Sequence, residues 1–383
     1  MFSIQKAAYT RQLAFSLLLF TALISCKEDG SLGAGFVDES TIKADTLYLN
    51  NINIDSANAY TGKLAFSPMG AFNDPLFGSI NSFAFIRPSI ANSYSDSTIL
   101  DAQLLLRLAI SEDLFYGNEE GSATFGIYPV QNFWRGNAYR LINDINLGEN
   151  PERLASFNIA DADTNGFLDI PLSGSYIADY LSFLNNQENN RDSTYRYNNF
   201  GLAIVPDAGT DKIVYSRMLS GRLFTITTNN DTLLNTIVDW GYDIDITAPA
   251  VPQNNFSLSS ILSNYAVINF DELTDGFNTQ NFVRAELQFT ENTTQLESTL
   301  PAGAQRYDEP ILRILLGPSI DVAYDLTFTT AIGQGVYNNG TYTFNVTGLF
   351  NAALFGNTDI SSVYLFAAPN GGLISFNALF GSG

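Results

Sequence analysis

The chain reads as an all-β protein of two tandem, jelly-roll-like β-sandwich domains, and three observations predict this. Phe and Tyr are plentiful, at 29 and 19 of 383 residues, which suits half-buried pleated strands. Short apolar runs bounded by turn residues recur along most of the chain, the usual signature of a sandwich. Two prolines spaced by small residues, in Thr247-Ala248-Pro249-Ala250-Val251-Pro252, part those runs into two groups. The expected domains are residues 42–246, a first sandwich with one short helix, and residues 247–383, a second sandwich.

The first 25 residues precede that body and read as an export signal. Lys6 and Arg11 are followed by a nearly unbroken apolar run from Leu13 to Ile24. The run falls short of the ~20 residues that span a bilayer and ends in small residues, so cleavage is the better reading than a retained helix. Its last four positions, Leu23-Ile24-Ser25-Cys26, resemble the lipobox of bacterial lipoproteins. That resemblance implies cleavage before Cys26 and attachment of a diacylglycerol and a further acyl chain, such as palmitate, to that residue. One acyl chain binds a membrane reversibly, at about 0.8 kcal/mol per buried methylene, and two or more hold it stably. Lys27 directly after the cysteine implies sorting to the outer membrane, and Lys27-Glu28-Asp29 resembles the acidic tag of surface-displayed Bacteroidota lipoproteins. Residues 26–41 are then a lipidated cysteine and a flexible Gly- and Ser-rich tether.

In the first domain, strands are expected at 45–49, 83–88, 99–110, 123–130, 166–172, 200–205 and 212–216. Ser175–Leu184 places Ile177, Tyr180, Leu181 and Leu184 on one face at helical spacing, with Ser173 or Ser175 available as the cap. The polar run from Asn185 to Asn198 reads as an exposed loop, either a binding loop or a plain connection. In the second domain, strands are expected at 265–270, 282–290, 311–316, 323–329, 341–346, 363–367 and 373–376. The order strand, short helical passage, strand ending in Pro occurs at 166–207 and again at 340–370, which reads as a degenerate internal duplication.

Composition excludes whole mechanisms. The chain has no histidine, and its one cysteine is Cys26. Ser-His-Asp and Cys-His catalysis, His-ligated zinc and thiolate metal sites therefore cannot be assembled. A carboxylate pair of the glycosidase kind remains chemically available, but no pairing stands out among 39 acidic residues, and the chain reads as a non-enzyme. Its net charge is −21, which repels nucleic acid.

Three groups of residues stand out as candidate sites. Asp161, Asp163, Asn165 and Asp169 match the oxygen-ligand spacing of a calcium loop, with Gly166 at the sharp turn; Leu172 stands where the closing Glu belongs. The same stretch also reads as a tight turn at Asn165-Gly166. Trp134 and Trp240, the only tryptophans, are candidate sugar-stacking platforms or core residues. Asn73-Asp74-Pro75-Leu76-Phe77-Gly78 has the chemistry of a turn.

The first half resembles the disaggregatase-related, carbohydrate-binding-like β-sandwich family. Ala102–Leu108, Ile127–Trp134, Phe167–Ile170 with the following helix, and Gly201-Leu202-Ala203-Ile204 carry the likeness. Trp134-Arg135-Gly136 replaces the usual Trp-Thr-Glu. Together with the lipobox, Gly30-Ser31-Leu32-Gly33 and the Asn73–Gly78 motif, the whole chain is similar to a domain-of-unknown-function family of Bacteroidota surface lipoproteins. The lipoprotein-family resemblance implies location and a β body and carries no activity; the leading expectation is a lipid-anchored, non-catalytic protein of the cell surface that binds a ligand, with polysaccharide as the class, through its sandwich loops. The alternative is a structural or accessory subunit of an outer-membrane protein assembly.

Overall fold

A computed structural model describes residues 45–49, 52–57, 60–90, 98–137, 142, 144–186, 188, 190–247, 255–261, 264–269, 282–306, 311–317, 333–355 and 361–381. Leu49–Gly383 forms one compact unit. The expected signal segment, Cys26, the tether, the prolines at 249 and 252 and the strand at 323–329 lie outside the described residues. Among the described residues no helix is long and apolar enough to cross a membrane.

The fold is all-β, and every described ladder is antiparallel. Strand β1 is Ile52–Asp55, β2 Ser67–Asp74, β3 Gly78–Pro88, β4 Ala102–Asn118, β5 Thr124–Pro129 and β6 Ala155–Asn158. After β7 (Phe167–Pro171), helices α1 (Ser175–Leu184) and α2 (Arg191–Asn198) intervene before β8 (Leu202–Pro206) and β9 (Lys212–Ser216). A hairpin follows, β10 (Arg222–Thr227) and β11 (Thr232–Thr247).

The second half holds β12 (Asn255–Ser259), β13 (Tyr265–Asn269), β14 (Glu286–Thr290), helix α3 (Thr293–Ser298) and β15 (Ala304–Gln305). Then come β16 (Leu312–Gly317), β17 (Gly333–Gln334), β18 (Val336–Asn338), β19 (Thr341–Asn345), helix α4 (Thr347–Phe355), β20 (Ser362–Ala367) and β21 (Phe376–Phe380).

Period-two burial explains the strands that show one face to solvent. In β10, Leu223, Thr225 and Thr227 are buried and their neighbours are half-exposed; β7 and β14 alternate in the same way. β20 is buried on both faces, hence its continuous Val-Tyr-Leu-Phe-Ala run. The first core joins Leu104, Leu106 and Leu108 of β4 and Ile170 of β7 to Ile86 of β3 and Ile127 of β5, strands of one 11-stranded sheet that returns on itself where β11, the partner of β10, also pairs with β3. Burying each such side chain contributes about 1.5–3 kcal/mol. In the second half, the sheet β1-β13-β20-β16-β17 packs against β14-β19-β18 and the β12–β21 pair through Ile268, Leu365, Phe344 and Leu379.

Several expectations are corrected. The two halves are not parted cleanly at residue 247, because β1, far upstream, is the edge strand paired to β13, and β15 pairs back onto β4. A third core mixes Phe72, Phe77 and Tyr116 with Ile261, Ile374 and Phe376. Residues 45–49 are irregular, and β4 runs on to Asn118. The stretch 185–198 is not all loop, since 191–198 is helix α2. α1 buries Tyr180, Leu181 and Leu184 as its spacing predicts, with Tyr176 buried and Ile177 only partly so. Neither serine caps α1; the Glu152 carboxylate accepts from the Ser175 backbone N–H (3.1 Å) instead. Strands separated by helix recur in both halves, at β7-α1-α2-β8 and β19-α4-β20, with two helices in the first and one in the second, and in each the two strands join different ladders.

Candidate functional site

A cavity of about 300 Å³ is lined by Lys63, Arg87, Arg135, Arg196, Val238 and Asp239. Four cations face one carboxylate, an excess of three positive charges in a chain whose net charge is −21.

Strand pairing sets the floor. Arg87 of β3 and Asp239 of β11 are register partners, and the ladder slips by one residue between Ile237 and Asp239. The extra residue, Val238, is a β-bulge at the cavity wall, a device that re-aims side chains. Arg87 is buried; its Nη2 donates to Asp239 Oδ2 and its Nη1 to the backbone carbonyl of Arg196 (2.9 Å). That carbonyl lies in the last turn of α2, where helix carbonyls lack partners and a cation is favoured. Tyr195 Oη, donating to the Pro88 carbonyl at 2.9 Å, holds α2 against β3.

Lys63 closes the second side, its Nζ 3.2 Å from Asp239 Oδ1 and 5.5 Å from the centre of the Trp240 ring. It is held with φ at 52°, a left-handed conformation uncommon outside glycine. Its backbone N–H donates to the Trp240 carbonyl (3.0 Å). Arg135 comes from the irregular segment after Trp134. Gly136 lets that segment press onto β11: a Cβ there would lie 2.2 Å from the Trp240 carbonyl oxygen.

The cluster is charged beyond what its own partners neutralise. Burial pushes the Arg87 guanidinium down from its ordinary value; Tyr195 opposes the shift, and Arg135 and Arg196 add to it. Lys63 is lowered by burial and then by Arg87. The Nε–H groups of Arg87 and Arg135 are buried without a hydrogen-bond partner among the described residues. Beside the cavity, Phe133 and Tyr197 stack with centroids 5.9 Å apart and planes 19° apart, and they are 40% and 59% exposed. Arg135 lies over both rings, 5.4 and 6.0 Å from their centres. The arrangement places guanidinium donors next to two exposed aromatic rings.

The residues expected from the sequence lie elsewhere or act differently. Trp134 is 3% exposed; its Nε1 donates to the Phe200 carbonyl (2.6 Å) and its ring meets Phe85 edge-on. It is a core residue, not a platform. Trp240 is half-buried, donates to the Leu64 carbonyl (2.8 Å) and backs Lys63.

The calcium reading of Asp161, Asp163, Asn165 and Asp169 is corrected as well. Asp163 Oδ1 accepts from the backbone N–H groups of Asn165 (2.8 Å) and Phe167 (2.9 Å), which hold its carboxyl below the ordinary range. Asp169 pairs with its cross-strand partner Arg107 through two 2.6 Å bonds. Gly166, at φ 73°, completes a turn. Among the described residues no group of three or more acidic side chains converges on one metal position.

Sequence reading missed Lys63, Arg87, Arg135, Arg196, Phe133 and Tyr197 as a set. The available signal was a charge inside each of two apolar strands, Arg87 in Phe-Ala-Phe-Ile-Arg-Pro and Asp239 in Ile-Val-Asp-Trp. Buried charges demand partners.

No protein-family model matches the chain, and no curated protein matches it. Among solved structures, the N-terminal domain of the Streptococcus gordonii adhesin Sgo0707 aligns over 80% of this chain at 11% identity, with a TM-score of 0.16. The alignment spans 54% of that domain. A score this low carries no argument about fold or function.

Proposed function

We propose that the protein is a non-catalytic binding protein, anchored by lipid on Cys26 at the outer-membrane surface, that holds a polysaccharide at Phe133 and Tyr197. One observation carries the ligand reading: the two rings are stacked, exposed and tied by Arg135 to a cavity. Aromatic faces bind apolar ring surfaces while a polar neighbour fixes orientation. The absence of histidine, and a lone cysteine placed in a lipobox, support a binding role over a catalytic one.

The test is co-sedimentation with a panel of insoluble polysaccharides, comparing the natural chain with a Phe133→Ala/Tyr197→Ala double variant. Binding that falls at least tenfold with an unchanged unfolding midpoint supports the site, and undiminished binding refutes it. For the anchor, cells fed a fatty-acid analogue should label the natural chain and leave Cys26→Ala unlabelled. Equal label on both would remove the lipid assignment.

A further inference from the structure

We infer that the cavity of Lys63, Arg87, Arg135 and Arg196 is an oxyanion site, and that the bound polysaccharide is acidic, its carboxylate or sulfate ester seated there. The inference rests on the binding function proposed above and adds the charge of the ligand.

Three observations carry it. Asp239 is the only carboxylate lining the cavity among the described residues, and it is already engaged by Arg87 and Lys63. Arg135 and Arg196 make no ion pair among the described residues, so their charges face the cavity without a counter-ion. Arg87, buried between Arg135 and Arg196, adds a like charge whose repulsion a bound anion relieves. A planar or tetrahedral oxyanion supplies several acceptor oxygens at once, the pattern that guanidinium groups bind best. A sulfate or carboxylate on a sugar whose ring lies against Phe133 and Tyr197 reaches the cavity through Arg135, which touches both places.

Size and charge narrow the ligand. A cavity of about 300 Å³ is at the small end for ligand sites and fits one sugar unit with its charged group. The acidic body repels polyanions at long range, but beyond the ~8 Å Debye length at physiological salt that field is screened and the local excess decides. Asp239 pairs with Arg87 and Lys63, and Arg135 and Arg196 stay available.

The experiment measures binding of the full chain, purified in detergent, to polygalacturonate, dextran sulfate, neutral dextran and single-stranded DNA at low and high salt. Arg196→Gln, exposed and without an ion pair, and the Arg135→Gln/Arg196→Gln double variant are compared with the natural chain. The expected result is at least tenfold tighter binding of one acidic polysaccharide than of dextran. Which acid binds identifies carboxylate or sulfate. High salt and Arg196→Gln should each weaken that binding several-fold, and the double variant should abolish the preference. Dextran binding as tightly as both acids would overturn the oxyanion site and leave the polysaccharide function standing. Acid binding unchanged in the double variant, or matched by DNA, would overturn the site as a sugar-borne oxyanion receptor. Binding of none of the polysaccharides would remove the proposed function itself.

Discussion

Arg306 and Asp74 form a buried ion pair in which the donors and acceptors match, whereas Arg87 and Asp239 form a buried pair surrounded by surplus cations. Asp74 accepts from Arg306 Nε (2.8 Å) and Nη2 (2.7 Å), from Tyr116 Oη (2.7 Å) and from the backbone N–H groups of Leu76 and Phe77. Arg306 donates further to the Leu296 carbonyl and to Thr299 Oγ1, and covers the Phe77 ring. Phe77 in turn stacks on Phe376 of β21. This pair is a lock between the Asn73–Gly78 turn and the distant second half. The Arg87–Asp239 pair lines a cavity, leaves Nε without a partner and sits among three other cations. Both pairs are buried, so the contrast lies in the partners: one carboxylate per cation with matched hydrogen bonds at Asp74, and one carboxylate among four cations lining a cavity at Asp239, the proposed receptor.

The largest expected effect is at the lock. Arg306→Met strands a buried carboxylate and should lower unfolding free energy by about 3–5 kcal/mol, measured by urea titration. A loss below about 1 kcal/mol would show that the pair is dispensable. Acid should act through the same residue. Burial alone would raise the Asp74 carboxyl, but the hydrogen bonds from Arg306, Tyr116 and Phe77 win and hold it below 3.8. Its stabilising contribution is therefore complete above the unfolded value near 3.8 and is lost as pH falls through the lower folded value.

In contrast, Arg196→Gln should change stability by no more than about 0.5 kcal/mol, because an exposed side chain without an ion pair holds nothing together. A large loss there would erase the distinction between the two pairs.

The smallest effect separates binding from folding by pH. Lys63 is lowered from 10.5, by burial first and Arg87 second. A lowered cation destabilises the fold while it is charged, so folding gains as pH rises through the folded value of Lys63 toward 10.5. Ligand binding has the opposite sign: affinity for an oxyanion should fall as pH rises toward 10.5 and Lys63 discharges. Lys63→Arg, which stays charged, should flatten the affinity profile measured from neutral pH up to 10.5. A natural chain and variant with the same pH profile would exclude Lys63 from the site.

Much of the strand set and helix α1 was legible because burial follows the periods that the sequence shows. Leu168 and Ile170 in β7 and Tyr180 in α1 lie inside where alternation and helical spacing put them, whereas β2, β10 and β11 lie where no strand is expected. Helix α2 was not legible: Arg-Asp-Ser-Thr-Tyr-Arg-Tyr-Asn has no apolar stripe, and the helix is held by buried Tyr195 and by Arg87 at its last turn. The pairing of β1 with β13 was hidden for a different reason, since two short alternating runs more than 200 positions apart carry no sign of each other. The candidate site suffers doubly. Lys63, Arg135 and Arg196 each read alone as solvated surface, and only the β3–β11 register and the docking of α2 gather them around Arg87. The two tryptophans are chain neighbours of cavity residues without lining the cavity themselves: Trp134 precedes Arg135, and Trp240 follows Asp239.

The central contrast can be read in one spectrum. The side-chain Nε–H resonances of the arginines, assigned by substitution and followed by ¹⁵N correlation as polygalacturonate or sulfated oligosaccharide is added, report each guanidinium separately. Arg87 and Arg135 should shift together and saturate at one ligand concentration while Arg306 stays still. Shifts confined to surface arginines, or an Arg306 signal that moves as far as Arg87, would contradict that contrast.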